Sequence, residues 1–242
     1  MVAELNLHQV AGRYAPRLLY PAELSRYGVL TWRARMVNEY LSASVFEALA
    51  AQLQGAGFDS NRVDECLGFA EEERTHGVLC GAVVVALGGD AKAPIGERPP
   101  FPLHSDAPPR AAALRNLIHI CCMSETVAVA LIGAERLEMP DGPLRELLTR
   151  IYSDEVGHAR FGWRLLEEHG PALEAQERLA VERYLPTAFA HLEAHELAHI
   201  PDCDAPPKGA VLGLCSGREA RRLLYETMDE VIRPGLRRWF RC

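Results

Sequence analysis

Two short segments of this 242-residue chain carry the residue types best suited to chemistry: Glu72-Glu73-Arg74-Thr75-His76 and Asp154-Glu155-Val156-Gly157-His158. In each, a Glu and a His stand three residues apart, which on a helix puts them on one face about one turn from each other. A carboxylate and an imidazole projecting together suit a divalent metal ion, so the repeat predicts two such ions held between helices. A single Glu-x-x-His recurs by chance. Two copies, each preceded by a helix with an inward-facing Glu, form a specific pattern.

The two additional carboxylates are Glu39 and Glu125. Glu39 shares its helical face with Trp32, Met36, Ala43, Phe46, Ala50 and Leu53, and Glu125 with Ile118, Cys121, Cys122, Val129 and Ile132. A Glu on an apolar stripe is an uncompensated buried charge, costing several kcal/mol unless it is partnered. Metal coordination satisfies it. The order is therefore a helix pair used twice, Glu then Glu-x-x-His, Glu then Glu-x-x-His.

Four helices must present these side chains. The first runs from about Ala22 or Thr31 to Gln54 and stops at Gly55-Ala56-Gly57, a C-terminal glycine signal. Asp59-Ser60 is expected to cap the second, which Gly88-Gly89 ends. A Pro-rich connection, Asp90 to about Pro109, has no helical period. About twenty extended residues span ~65 Å, enough to travel the length of a helix before the third begins. The third helix spans about Pro109 to Leu137, and the fourth follows Met139-Pro140-Asp141-Gly142-Pro143 and stops at Gly170-Pro171. A fifth, about Ala172 to His199, contains Pro186, where a kink is expected. Ser216 and Glu219 predict a capping box for a sixth. No convincing strand pattern appears, so the fold class is all-α. The expected organisation is a lead-in over residues 1–30, a dimetal bundle over 31–170 and a helical extension of the same domain over 171–242.

Composition narrows the function classes. Hydrophobic residues make up 48% and charged residues 24%, as in an ordinary globular domain that can bury a full core. A net charge of -7 gives no electrostatic case for nucleic acid. No basic-then-apolar leader opens the chain, and no stretch reads as the ~20 apolar residues of a membrane span. Seven scattered cysteines fit buried thiols in a reducing, cytoplasmic setting. A sharper possibility gives Cys121 or Cys122, one turn before Glu125, a redox part beside the metals.

With Glu39, Glu73-x-x-His76, Glu125 and Glu155-x-x-His158 in place, residues 31–168 resemble the ferritin-like di-iron carboxylate superfamily, which includes rubrerythrins, bacterial multicomponent monooxygenases and ribonucleotide reductase small subunits. The resemblance implies a four-helix bundle with a long crossover between helices 2 and 3, here followed by two additional C-terminal helices. It implies that Glu39, Glu73, His76, Glu125, Glu155 and His158 are the metal ligands, with Glu73 and Glu155 bridging. It implies two iron ions, with manganese or a mixed pair as the alternative. In related enzymes the acid before the bridging Glu holds a ligand histidine from the opposite helix, pairing Asp154 with His76 and Glu72 with His158. Tyr152, one turn before Glu155, is a candidate hydrogen-bonding or redox tyrosine.

The expected activity is oxidation of a small organic substrate by O2 or peroxide, with electrons from an unidentified donor and a homodimer as a possible assembly. A rubrerythrin-like peroxidase, an iron-handling protein and a metal-free helical scaffold are the alternatives. A competing motif, His195-Glu196-Leu197-Ala198-His199, matches the zinc metalloprotease pattern. It lacks the downstream Gly and His of the metzincins and a preceding strand. An accessory metal site using His191, His195 and His199, or a surface histidine stripe, are its other readings. Arg33 and Arg35 are expected to be solvated, and the C-terminal arginines to pair with neighbouring acids.

Overall fold

The computed structural model describes residues 3–97 and 99–241. Strand β1 (Ala3–Asn6) and short helix α1 (His8–Ala11) precede two long helices, α2 (Ser25–Gly55) and α3 (Ser60–Ala86). Strand β2 (Lys92–Ile95) leads to α4 (Pro109–Glu138), α5 (Pro143–His169) and α6 (Ala175–His199). Helix α7 comprises Gly217–Thr227, a π-helical segment Met228–Ile232, and Arg233–Arg237. The all-helical expectation holds in outline, with one small exception. Ala3 pairs with Ile95 and Asn6 with Lys92 in a two-stranded antiparallel ladder, so the Pro-rich connection is partly ordered by the chain's beginning. Strands of four residues, one containing Pro94, are too short to show a period.

Long-range side-chain contacts fix the helix directions. Arg35 bonds Glu135 while Gln52 accepts from Asn116, so α2 and α4 run antiparallel. The short turn between α2 and α3 makes those antiparallel too, which leaves α3 parallel to α4. The 87–108 connection must therefore cross the length of the helices, as its length predicts. His76 reaches Asp154 and His158 reaches Glu72, so α3 and α5 are antiparallel.

The interior divides into two apolar clusters. One gathers β1, α1, the first half of α2, the end of α3 and the start of α5, with Trp32, Met36, Val83 and Leu148 among its members. The other gathers the second half of α2, the start of α3, most of α4, the end of α5, and α6 and α7, around Phe46, Leu117, Phe161 and Leu192. The six Glu and His side chains lie in the seam between them. Leaving that seam unfilled by apolar side chains forgoes burial worth ~25 cal/mol per Å2, a sacrifice expected only where a polar group is needed.

Several local expectations are corrected. Ser216 does not form its capping box, because its hydroxyl donates to Asp204 Oδ1 at 2.9 Å. Asp59 stands at the α3 N-cap without a side-chain cap bond. The capping box forms instead at Glu174 and Glu177, where the Glu174 N–H donates to Glu177 Oε2 at 3.0 Å. Helix α6 runs unbroken through Pro186. Arg35 is not solvated: it pairs with buried Glu135 at 2.6 Å and lies over the Trp32 ring at 4.9 Å. Arg33 bonds the Asp90 carbonyl at 3.2 Å. Helix α4 is, after all, long and apolar enough to cross a membrane by length and composition. It carries Glu125 midway and packs against α2, α5 and α6, which is how the core helix of an all-helical domain reads.

Candidate metal centre

Residues 118–124 of α4 form a π-helical segment, with Glu125 immediately after it. Such bulges shift the face of everything that follows and recur at functional sites. Ser124 caps the distortion by donating to the His119 carbonyl at 3.2 Å. The effect is to turn Glu125 inward toward α5. Its carboxylate lies 3.7 Å from His158 Nδ1.

All six predicted ligand side chains converge. Glu39, Glu73, His76 and Glu155 offer ligand atoms within 4.8 Å of one another, and so do Glu73, Glu125, Glu155 and His158. Glu73 and Glu155 belong to both groups, the placement a bridging carboxylate requires. His76 Nδ1 lies 3.3 Å from Glu155 and 3.5 Å from Glu39; His158 Nδ1 lies 3.2 Å from Glu155 and 3.3 Å from Glu73. The two imidazole centroids are 6.1 Å apart.

Each histidine is held from behind. His76 Nε2 meets Asp154 Oδ2 at 3.0 Å, and His158 Nε2 meets Glu72 Oε2 at 2.9 Å. An Nε2–H donated to these acids leaves the Nδ1 lone pair facing the carboxylates, the tautomer a metal ligand needs. Phe46 and Phe69 pack on His158 at 5.1 and 4.5 Å, fixing the ring and keeping water from its edges.

The residues fit divalent ions on a specific count. Glu73, Glu125, Glu155, His76 and His158 are all buried, and among the described ion pairs no Lys or Arg reaches any of the four glutamates. His76 Nδ1 is buried without a hydrogen bond. Four carboxylates without a Lys or Arg partner, facing two imidazole Nδ1 atoms, are a donor set that suits hard or borderline divalent metal ions.

Without metal, protons must do that work. Burial and the neighbouring Glu155 push the Glu73 carboxyl up to about 8, and the same two causes raise Glu125. Burial opposes a charged His76, yet its contacts with Glu155 and Glu39 push it up to about 11, and His158 is raised likewise. Burial also resists ionisation of Glu155, but Glu125, His158 and His76 outweigh it and hold that carboxyl well below its ordinary value.

These shifts give a pH-dependent stability with a definite sign. A raised group stabilises the fold fully below its unfolded pKa and loses that contribution as pH climbs through its folded value. The windows are 4.5 to about 8 for Glu73 and 6.5 to about 11 for His76. Glu155 acts oppositely, its contribution being present above 4.5 and lost only on strong acidification. The metal-free protein should therefore melt lower at pH 9 than at pH 6, by on the order of 5 °C, and Glu73→Gln should flatten the slope. Differential scanning fluorimetry of chelator-treated protein checks this; a melting temperature that rises over the interval overturns it.

A cavity of about 1230 Å3 adjoins the cluster, lined by all four glutamates and bounded by α2, α4 and α6. That exceeds the ~300–1,000 Å3 of ordinary small-molecule pockets. Of the small residues near the ligands, Ala128 lines it. Ala43 is packed in the core, Gly162 is pressed against Cys121, and neither these nor Val129 is part of the lining. Arg35 and Glu135 also line the cavity, and so does His119; sequence reasoning missed all three as site residues. Arg35, one turn before Glu39 on the same face, was visible in principle.

Tyr152 is not brought to the cluster. Its ring packs on Gly133 and under Arg136 of α4, outside the cavity lining. Cys121 and Cys122 are fully buried free thiols that do not line the cavity, and burial raises both pKa values. A thiol so held is a poor redox nucleophile. Comparison of the chain with protein-family models, curated proteins and solved structures finds no match.

Proposed function

We propose that this chain is a non-haem di-iron oxidoreductase of the ferritin-like kind, using O2 or peroxide to oxidise a small organic substrate. The observation that carries the reading is the pair of four-residue groups sharing Glu73 and Glu155, set against a substrate-sized cavity. Two iron ions, or manganese in their place, would be held by Glu39, Glu73, His76, Glu125, Glu155 and His158. Bound there in the reduced state, they would pass electrons to O2 or peroxide, the oxidant, which is chemistry that the side chains lack.

The chain's own contribution is positional. Asp154 and Glu72 orient the two imidazoles from outside. Four anionic carboxylates favour the higher oxidation state of a hard ion, and neutral imidazoles hold each ion without adding charge. Phe69 packs on His158 away from the cavity, and Phe46 packs on the same ring while also lining the cavity wall. The cavity admits substrate along α2 and α4, with Ala128 leaving room beside Glu125. Protons displaced from Glu73, Glu125 and the histidines on loading would leave toward the half-buried acids Glu72 and Asp154.

The buried free thiols suit a reducing cytoplasm, and the electron donor would be a separate protein or small reductant. The cavity favours an oxygenase or oxidase over iron storage, which needs no pocket for an organic molecule. No Cys-x-x-Cys is present to supply a rubredoxin-type centre for a peroxidase.

Anaerobic loading with ferrous iron, followed by desalting and metal analysis, tests the reading. About two irons per chain and O2 uptake on aeration are expected. Retention of no iron, or uptake unaffected by substitution of the six ligands, overturns it. Asp154→Asn should weaken metal binding by ~10–100-fold while leaving the fold intact, as measured by competition with a chromophoric chelator.

A further inference from the structure

The cavity has a second chemically distinctive wall, away from the glutamates. His191, His195 and His199 follow one another at four-residue spacing along α6 and line it, and His119 joins them from the π-helical segment of α4. His119 Nε2 lies 3.0 Å from His191 Nδ1, with ring centroids 4.8 Å apart. The other nitrogen of His119, Nδ1, is buried and makes no hydrogen bond. The His191 and His195 rings lie almost parallel, 13° apart in plane and 6.3 Å apart in centroid, one turn from each other.

The two imidazole nitrogens are hydrogen-bonded at 3.0 Å, a few tenths of an ångström inside the ~3.3–3.4 Å between two ligands of one tetrahedral ion with metal–nitrogen bonds of ~2.0–2.1 Å, so a small parting of the rings would admit an ion. His199 Nδ1–H donates to the His195 carbonyl at 2.8 Å, which orients that ring within its own helix. The pair already at near-ligand separation is His119 and His191, so the ligand set is built on these two, with His195 one turn along α6 as the third.

We propose that His119, His191 and His195 form a mononuclear site for a borderline divalent transition metal of the zinc or cobalt class, set in the cavity wall and separate from the carboxylate cluster. Three neutral imidazoles select such an ion over the hard ions favoured by carboxylates. The carboxylate cluster is already gathered within 4.8 Å; here closure takes a rotation of the exposed His195 side chain toward the His119–His191 pair. The fourth position faces the cavity, where Glu196 also lies, its carboxyl raised to about 7 by burial. An ion so placed would polarise an oxygen or nitrogen of the molecule occupying the cavity.

The test is stoichiometric. Metal-free protein is loaded with excess Zn2+, passed through a desalting column and analysed, then loaded in parallel with Co2+ for absorbance. About three zinc ions per chain are expected, falling to about two in His191→Gln and in His119→Gln. His191 is exposed, so its substitution leaves the fold in place. Glu73→Gln/Glu155→Gln should lose the other two ions and keep one, with the stronger visible bands of tetrahedral, nitrogen-bound Co2+. Zinc retention unchanged by both histidine substitutions overturns the proposal. So does an ion that disappears together with the carboxylate pair. Either outcome leaves the carboxylate centre to stand or fall on its own ligands.

Discussion

Glu155→Gln is expected to strip the protein of the cluster metals, lowering affinity by about 100- to 3,000-fold. Its carboxylate is the one that faces both histidines, Oε1 at 3.3 Å from His76 and Oε2 at 3.2 Å from His158. It also belongs to both groups of converging ligands. The amide keeps the shape and removes the charge, so the loss reports coordination rather than packing. Uncoupling one partner from a buried charged set costs ~3–5 kcal/mol, and each 1.4 kcal/mol is tenfold in affinity.

The same substitution placed elsewhere on a helix should do little. Glu47→Gln lies on α2 but pairs with Arg74 at the surface, so its removal should leave metal content unchanged and stability within about 0.5 kcal/mol. Metal analysis and isothermal titration of both variants decide the matter. If Glu155→Gln retains two ions with unaltered affinity, no dinuclear centre is built from these residues. Glu39→Gln and Glu125→Gln should be milder than Glu155→Gln, because each belongs to one group only.

Much of this centre was legible because its parts are local. A Glu and a His three apart declare a shared face without knowledge of the fold, and glycines at 55, 57 and 88–89 mark where the helices stop. The cross-pairs Asp154–His76 and Glu72–His158 were expected from the resemblance, and the antiparallel α3 and α5 bring them together. What escaped depends on contacts or backbone details with no local signature. A π-helical segment leaves the side-chain pattern of 118–124 reading as an ordinary helix, though it re-aims Glu125. Arg35 looks like a surface residue until α4 brings Glu135 to it across a hundred positions of sequence. Tyr152 sits one turn before Glu155, yet its own face points to Gly133 and Arg136. The cavity needed α6 as a wall, and the histidine row on α6 acquires meaning only when His119 arrives from α4. Caps were misread for a similar reason: Ser216 found Asp204, a competitor in another loop, before its own helix.

Two glycines on α3 and α5 set how closely the helices approach, and they separate packing from propensity in a single experiment. A Cβ on Gly162 would stand 2.5 Å from Cys121 Cβ and 3.0 Å from the backbone of Cys121 and Cys122, at the π-helical segment itself. One on Gly77 would stand 2.7 Å from Tyr40 Cβ and 3.0 Å from its backbone. By contrast, a Cβ on Gly157, on the same helix as Gly162 and next to His158, meets nothing within 4 Å. In a helix interior, Ala is worth ~0.5–1 kcal/mol over Gly, so Gly157→Ala should raise the melting temperature by ~1–4 °C. Gly162→Ala gains the same propensity and should still lower it, because forcing backbone apart costs ~1–3 kcal/mol. Gly162→Val adds two further methyl groups and β-branching, and a fall of ~10 °C is expected. Metal retention should fall with it, since α4 carries Glu125 and any outward shift lengthens its 3.7 Å approach to His158. Thermal melts with metal analysis of the three variants test this. If Gly162→Ala tracks Gly157→Ala, the spacing of α4 and α5 does not limit the centre, and the short carboxylates must reach one another by another route.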